Sequence, residues 1–255
     1  LEQFDDAPRS FGSVRFTNPK SDHHSSDQVD VGEHMNLVLF DLDHTLLPID
    51  SDYSWGEFTQ KIGWTDPVTF KARNDQFFAD YQAGVLDIHN YVRFATEAVR
   101  LKGAETAHKA HEQFMQEVIL PQIKPAAVEL VKQHQAAGDH VMIVTATNEF
   151  VTRPIAAAFG VTELIAVSLA KDQSGWLTGD IDGTPSFKEG KVQRVAQWLE
   201  ARQLNWQDVQ ITFYSDSVND LPLLEKAQTP VATNPDARLR QLATDRGWRI
   251  LQLFS

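Results

Sequence analysis

Cysteine is absent from the 255-residue chain, which excludes disulfides, thiol nucleophiles and Cys-ligated zinc. Basic charge is scarce: 23 Lys and Arg face 35 Asp and Glu, for a net charge of −12. That balance argues against partners that need a basic patch, nucleic acid and anionic membrane surfaces alike. Long apolar runs are missing too. None approaches the ~18–20 residues of a transmembrane helix, and the N-terminus lacks the charged-then-apolar layout of a secretion signal. The expectation is a cytoplasmic protein with no membrane or nucleic-acid partner. The remaining composition is ordinary, 42% hydrophobic and 23% charged. It suits one large globular domain or a domain carrying a sizeable insertion. So acidic a chain repels phosphate unless a cation, or a local Lys or Arg, inverts the field at the site.

Residues 1–34 mix Ser, Asp, Pro and His with isolated aromatics, without sustained periodicity. Seven acidic and three basic residues give them −4 of the net charge. They read as a flexible tail, with Met35 as a candidate natural start; an arm docked on the domain is the alternative. From Met35 the pattern changes. "NLVLFDL" is a continuous apolar run ending in acids, the form of a strand buried on both faces of a parallel sheet. Residues 54–120 read as helical, with Trp55, Phe58 and Ile62 at helical spacing and Asp87 suited to cap "IHNYVRFATEAVRL". Pro121 and Pro125 end this block.

Helices and strands then alternate, with strands at "HVMIVTATN", "ELIAVSLA", "VQITFYSDS" and "TPVATN" and a short hairpin in "KDQSGWLTGDIDGTP". The alternation predicts a doubly wound α/β fold with a mainly parallel sheet. Its core comprises residues 35–49 and 122–255, and residues 50–121 form a helical cap inserted after the first strand.

Three strands end in polar clusters: Asp41-Leu42-Asp43-His44-Thr45, Thr145-Ala146-Thr147-Asn148, and Ser215-Asp216-Ser217 with Asn219 and Asp220. Ligands of parallel sheets bind beyond the carboxyl ends of strands. Acids gathered there from separate strands suit a hard cation such as Mg²⁺, which takes few protein ligands and keeps several waters. Such an ion offsets carboxylate repulsion and supplies the positive field a phosphate needs. A lone DxD is often only a turn or a helix cap. A calcium loop fails, because counting from Asp41 its sixth position is Leu46 rather than Gly and its twelfth Asp52 rather than Glu. The pair His108 and His111 lacks a third ligand and reads as two surface side chains.

"DLDHTLL", "VTATN", the lysine of "KEGK" and "SDSVNDLPLL", in this order, resemble the four motifs of the haloacid dehalogenase superfamily. The helical insertion resembles its phosphoserine-phosphatase-like branch, subfamily IB. The resemblance implies a phosphatase in which Asp41 is the nucleophile and forms an aspartyl-phosphate, and Asp43 the general acid and then base. It gives Mg²⁺ the Asp41 and Asp216 carboxylates and the Asp43 main-chain carbonyl. Thr145, with nearby backbone N–H groups around Ala146, would bind the phosphoryl oxygens, and a lysine would neutralise them. Lys191 suits the spacing better than its rival Lys188. Thr45 would orient the Asp43 loop close to the substrate, while Asn219 and Asp220 would brace the loop and the lysine.

The substrate is a small phosphorylated metabolite. Asp50 stands where phosphoserine phosphatases carry an acid for the substrate ammonium. Their carboxylate-binding arginine falls on Ala95, with Arg93 two residues away, on a different helix face. That departure favours an amino-alcohol phosphate, and "VTATNEFVTRPIA" is similar to class IB proteins assigned as histidinol-phosphatases. L-histidinol phosphate is therefore the expected substrate. Phosphoserine is the alternative, followed by a phosphotransferase or a non-catalytic binding module of the same fold.

Overall fold

The computed structural model describes residues 35–254; the tail expected over residues 1–34 lies outside them. The first strand, β1 (Met35–Phe40), is apolar because both its faces are covered. Leu37 and Leu39 enter one hydrophobic core with Met142, Val144, Ile211 and Phe213. Val38 and Phe40 enter another with Ile143, Tyr214 and the aromatics Trp55, Phe58 and Phe114. Each fully buried Leu or Phe adds about 2–3 kcal/mol of transfer free energy, so alternation along one strand anchors two layers at once.

Between β1 and the second strand run α1 (Ser51–Lys61), α2 (Pro67–Ala83), α3 (Ile88–Ala95), α4 (Glu97–Lys102) and α5 (Ala104–Phe114). A π-helical turn (Met115–Ile119) and a 3₁₀ turn (Leu120–Gln122) complete this insertion. Its helix starts are written in the sequence. Asp50, Asp66 and Asp87 each accept backbone N–H bonds as N-caps of α1, α2 and α3, and Gly84 ends α2 in the left-handed region at φ 73°.

The chain continues through α6 (Pro125–Ala136), β2 (His140–Asn148), α7 (Glu149–Ala158), β3 (Glu163–Val167), β4 (Leu169–Lys171) and β5 (Leu177–Ile181). Then follow α8 (Glu189–Glu200), β6 (Val209–Ser215), α9 (Leu221–Leu224), β7 (Thr229–Thr233), α10 (Ala237–Arg246) and β8 (Arg249–Leu251). Six strands form one parallel sheet in the order β3-β2-β1-β6-β7-β8, a doubly wound α/β architecture whose order reverses beside β1. No helix among the described residues is long and apolar enough to cross a membrane.

Several details differ from the sequence expectation. "ELIAVSLA" divides at Ser168 into β3 of the main sheet and β4 of a separate antiparallel pair with β5. The "DLPLLEKA" helix shrinks to four residues preceded by a 3₁₀ turn (Val218–Asp220). The C-terminal "RIL" adds a sixth strand, although Arg249 and Ile250 are exposed and leave no apolar signature. His108 is exposed as expected, but His111 is buried. Its Nε2 lies 3.0 Å from the Val151 carbonyl, and burial pushes its pKa down to about 4, so it ties the insertion to α7 as a neutral ring.

Candidate active site

Sheet register brings the three polar clusters together. Phe40 pairs with Ile143 of β2 on one side and Tyr214 of β6 on the other, so Asp41, Thr145 and Ser215-Asp216 emerge at one edge. Asp41 N–H continues the ladder, donating to the Tyr214 carbonyl at 2.9 Å. The chain then turns sharply. His44 adopts φ 57°, a left-handed conformation costing a non-glycine residue about 1–2 kcal/mol. Asn234, after β7, holds the turn by donating from Nδ2 to the His44 carbonyl at 2.9 Å and the Thr45 carbonyl at 3.3 Å.

Lys191, 1% exposed, places Nζ 2.8 Å from Asp41 Oδ1 and 2.7 Å from Asp220 Oδ2. Burial alone would lower the lysine pKa; Asp220 and Asp41 override it and hold the ammonium above its usual range. Ser215 Oγ donates a second bond to Asp220, at 2.8 Å. The α8 start that carries Lys191 is fixed from both sides. Ser186 Oγ donates to the Thr145 carbonyl at 2.6 Å, and Gly190 packs so closely that a Cβ there would sit 1.9 Å from the Pro185 carbonyl oxygen. Lys188 is turned elsewhere, at φ 51°, and donates from Nζ to the Gly84 carbonyl at the end of α2.

The Asp43 carboxylate is gripped separately, by Ser51 N–H on Oδ1 and Thr147 Oγ1 on Oδ2, both at 2.8 Å. Burial, followed by repulsion from Asp50, raises its pKa to about 6. Asp41 is also raised by burial, against the pull of Lys191. Asp216 is raised well above the carboxylate range by burial and by Asp41 and Asp220.

The single hydroxyl of Thr45 lies 3.3 Å from Asp41 Oδ2 and 3.5 Å from Asp216 Oδ1. Two carboxylates thus converge on one neutral donor. Among the described residues no three His, Cys, Asp or Glu side chains group to cage an ion. Two convergent, mutually repelling carboxylates in a chain without cysteine instead fit a hard divalent cation that completes its shell with a main-chain oxygen and water.

Beyond the acids lies a cavity of about 610 Å³ including its mouth, lined by Asp41, Asp43, Asp50, Asp52, Thr145, Ala146, Thr147 and Asp216 and walled by aromatics of the insertion. Lys and Arg are absent from its lining. Three further residues considered in the sequence lie outside that lining. Arg93 is exposed and pairs with Asp180 of β5 at 3.0 Å, because its helix face points to the hairpin rather than the cavity. Asn219 donates to the Tyr81 carbonyl at 2.8 Å, bridging core and insertion. The Thr45 side chain serves Asp41 and Asp216 instead of facing a ligand.

A model of the haloacid dehalogenase-like hydrolases matches residues 38–225. The chain belongs to that family. This hydrolase is 43% identical over 217 residues to a protein of Neisseria meningitidis serogroup C named histidinol-phosphatase, covering 85% of this chain and 98% of the relative. A crystal structure of a protein of unknown function from Bordetella pertussis Tohama I superposes with a TM-score of 0.82 at 47% identity, covering 87% of this chain and 100% of that one. Substrate-bound phosphoserine phosphatase shares the fold, with a TM-score of 0.61 at 18% identity over 85% of this chain and 92% of the other. The hydrolase is a phosphatase.

Three residues with structural roles at the site carried no assignment from sequence. Thr147 was visible only as part of a polar strand end. Asn234 sits 190 residues from the turn it holds. Asp52, 5% exposed, is in the sequence only one more acid close to Asp50.

Proposed function

We propose that this phosphatase is a Mg²⁺-dependent phosphomonoester hydrolase that cleaves L-histidinol phosphate through an aspartyl-phosphate at Asp41. The observation that carries the reading is the pair of carboxylates two residues apart but held by different partners, Asp41 by Lys191 and Asp43 by Ser51 and Thr147. A carboxylate needs no deprotonation before attacking phosphorus, so Asp41 is a competent nucleophile as it stands. One of its oxygens bonds to phosphorus as the ester P–O bond breaks. Asp43, with its pKa near 6, delivers a proton to the departing alkoxide and then, as carboxylate, accepts one from the water that attacks phosphorus. That attack breaks the Asp41 O–P bond and releases inorganic phosphate.

Thr145, Ala146 and the ammonium of Lys191 face the charge on the phosphoryl oxygens. The Asp41 and Asp216 carboxylates and the Asp43 main-chain oxygen would hold Mg²⁺. When bound, it supplies charge neutralisation and screens nucleophile from phosphate. The helical insertion, residues 50–121, would act as a cap that covers the site and selects the leaving group.

The cavity wall supports an amino-alcohol leaving group. It offers Asp50 and Asp52 to an ammonium but no Lys or Arg to a substrate carboxylate, and Arg93, the candidate the helical segment offers by sequence, is engaged by Asp180. A buried carboxylate without a cation costs several kcal/mol. Steady-state assay of both esters tests this. The expected result is a preference of about 100-fold or more in kcat/KM for L-histidinol phosphate over phosphoserine, with turnover abolished by EDTA and restored by Mg²⁺. A phosphoserine preference removes the histidinol reading, and turnover in EDTA removes the metal.

A further inference from the structure

Asp52 stands apart from the groups assigned above. It lies two residues beyond Asp50, in the first turn of α1, and Asp50 weighs more on it than Asp43 does. Its carboxylate lines the cavity and is aimed by a neutral donor. Asn148 Nδ2 donates to Oδ1 at 3.2 Å, and the amide cannot turn over because its Oδ1 already accepts the Val151 N–H at 3.2 Å. The Tyr91 phenol lines the cavity beside the carboxylate and stays protonated, since burial and Asp52 raise its pKa well above the phenol range. The Tyr91 ring packs on Phe77 with centroids 5.3 Å apart, and both rings line the cavity. No cation of the chain reaches this carboxylate among the cavity-lining residues.

Helix formation does not explain the arrangement. The N-cap of α1 is already filled by Asp50, and a first-turn acid gains only a few tenths of a kcal/mol when exposed. Burying it at 5% exposure beside another acid works against folding. An oriented acceptor beside aromatic faces, left without a positive partner, is complementary to a flat ring that carries an N–H.

We infer that Asp52, oriented by Asn148 and standing among the Tyr91 and Phe77 rings of the cavity wall, is the specificity-determining residue that accepts a hydrogen bond from the ring N–H of a heteroaromatic leaving group. The inference rests on the proposed amino-alcohol phosphate reading and divides the labour within it: Asp50 receives the ammonium and Asp52 the ring.

The test compares L-histidinol phosphate with phenylalaninol phosphate, which keeps the phosphate, the ammonium and a ring of similar breadth but has no ring N–H. Wild-type protein is expected to prefer the imidazole ester by about 100-fold in kcat/KM. In Asp52→Asn the ratio is expected to fall below about 5, with the loss on the imidazole ester. Tyr91→Phe keeps the ring packing and removes the phenol hydroxyl from the wall beside Asp52, and should lower the same ratio by about 3- to 10-fold. Equal turnover of both esters by wild type, or a ratio unmoved in both variants while overall activity drops, overturns the inference and makes Asp52 structural. Failure of wild type on both esters, with aryl phosphate still hydrolysed, instead refutes the amino-alcohol reading beneath it, and the ring assignment falls with it.

Discussion

At the strand end of the cavity Asp41 and Asp220 close on one ammonium, Lys191 Nζ, at 2.8 and 2.7 Å, whereas at the insertion end Asp50 and Asp52 meet only neutral N–H and O–H groups. Both ends bury carboxylate, and both raise its pKa mainly by desolvation. The difference lies in who supplies the opposing charge. The proposed chemical end carries its own cation on a helix start locked by Gly190 and Ser186. On the proposed reading, the insertion end leaves the compensating charge to a ligand. One molecule can therefore keep its phosphoryl chemistry rigid while selecting its substrate by electrostatic need.

Removing the internal cation should break the comparison most severely. Lys191→Met leaves Asp41 and Asp220 buried without a cation. Folding free energy from urea titration is expected to fall by about 3–5 kcal/mol, and kcat on the order of 10³-fold. Lys188→Met removes a bond to the end of α2, and should reduce kcat by less than about 10-fold. A larger effect at 188 than at 191 would reverse the assignment of the two lysines.

The insertion end is sharpened by pH. Asp52 is raised from 3.8 to about 7, so the folded state binds its proton more tightly than the unfolded state. Stability from this group is full below pH ~4 and is lost as pH rises to ~7, by about 4 kcal/mol in all. Asp52→Asn has no such loss. Its stability advantage over wild type, measured by ligand-free denaturation, is expected to grow by about 2–3 kcal/mol between pH 5 and pH 8. A flat or shrinking difference would mean that Asp52 is compensated after all.

The smallest effect is expected at the third place considered for substrate recognition. Arg93→Ala breaks only an exposed ion pair with Asp180. It should change kcat/KM less than about 2-fold and stability by less than about 1 kcal/mol.

How much of this was legible in the sequence follows a physical line. Runs with one environment, such as the doubly buried "LVLF" of β1 or the Asp87-capped start of α3, declare themselves through periodicity and capping chemistry. The strand-end acids were legible because parallel strands deliver their carboxyl ends to one edge, so Asp41 and Asp216 had to be neighbours once the sheet was parallel. Pairings set by the packing of distant elements were not. His111 looks like any helix-surface histidine until α7 is laid against it, and Arg93 looks available until the β4–β5 hairpin brings Asp180 to it. Asn234 gains its role only when β7 lies beside the turn after Asp41, and nothing local marks it. Asp52 hid behind a correct local rule, since acids belong in first turns of helices, and only burial separates it from one.

The nucleophile is the point on which the reading stands. Protein mixed with saturating L-histidinol phosphate and Mg²⁺, quenched in acid during turnover, reduced with borohydride and mapped by mass spectrometry, should contain homoserine in place of Asp41. The conversion should require substrate, and Asp41→Asn should abolish both it and turnover. Phosphate released with Asp41 unmodified and another side chain carrying the group, or undiminished turnover by Asp41→Asn, would contradict it.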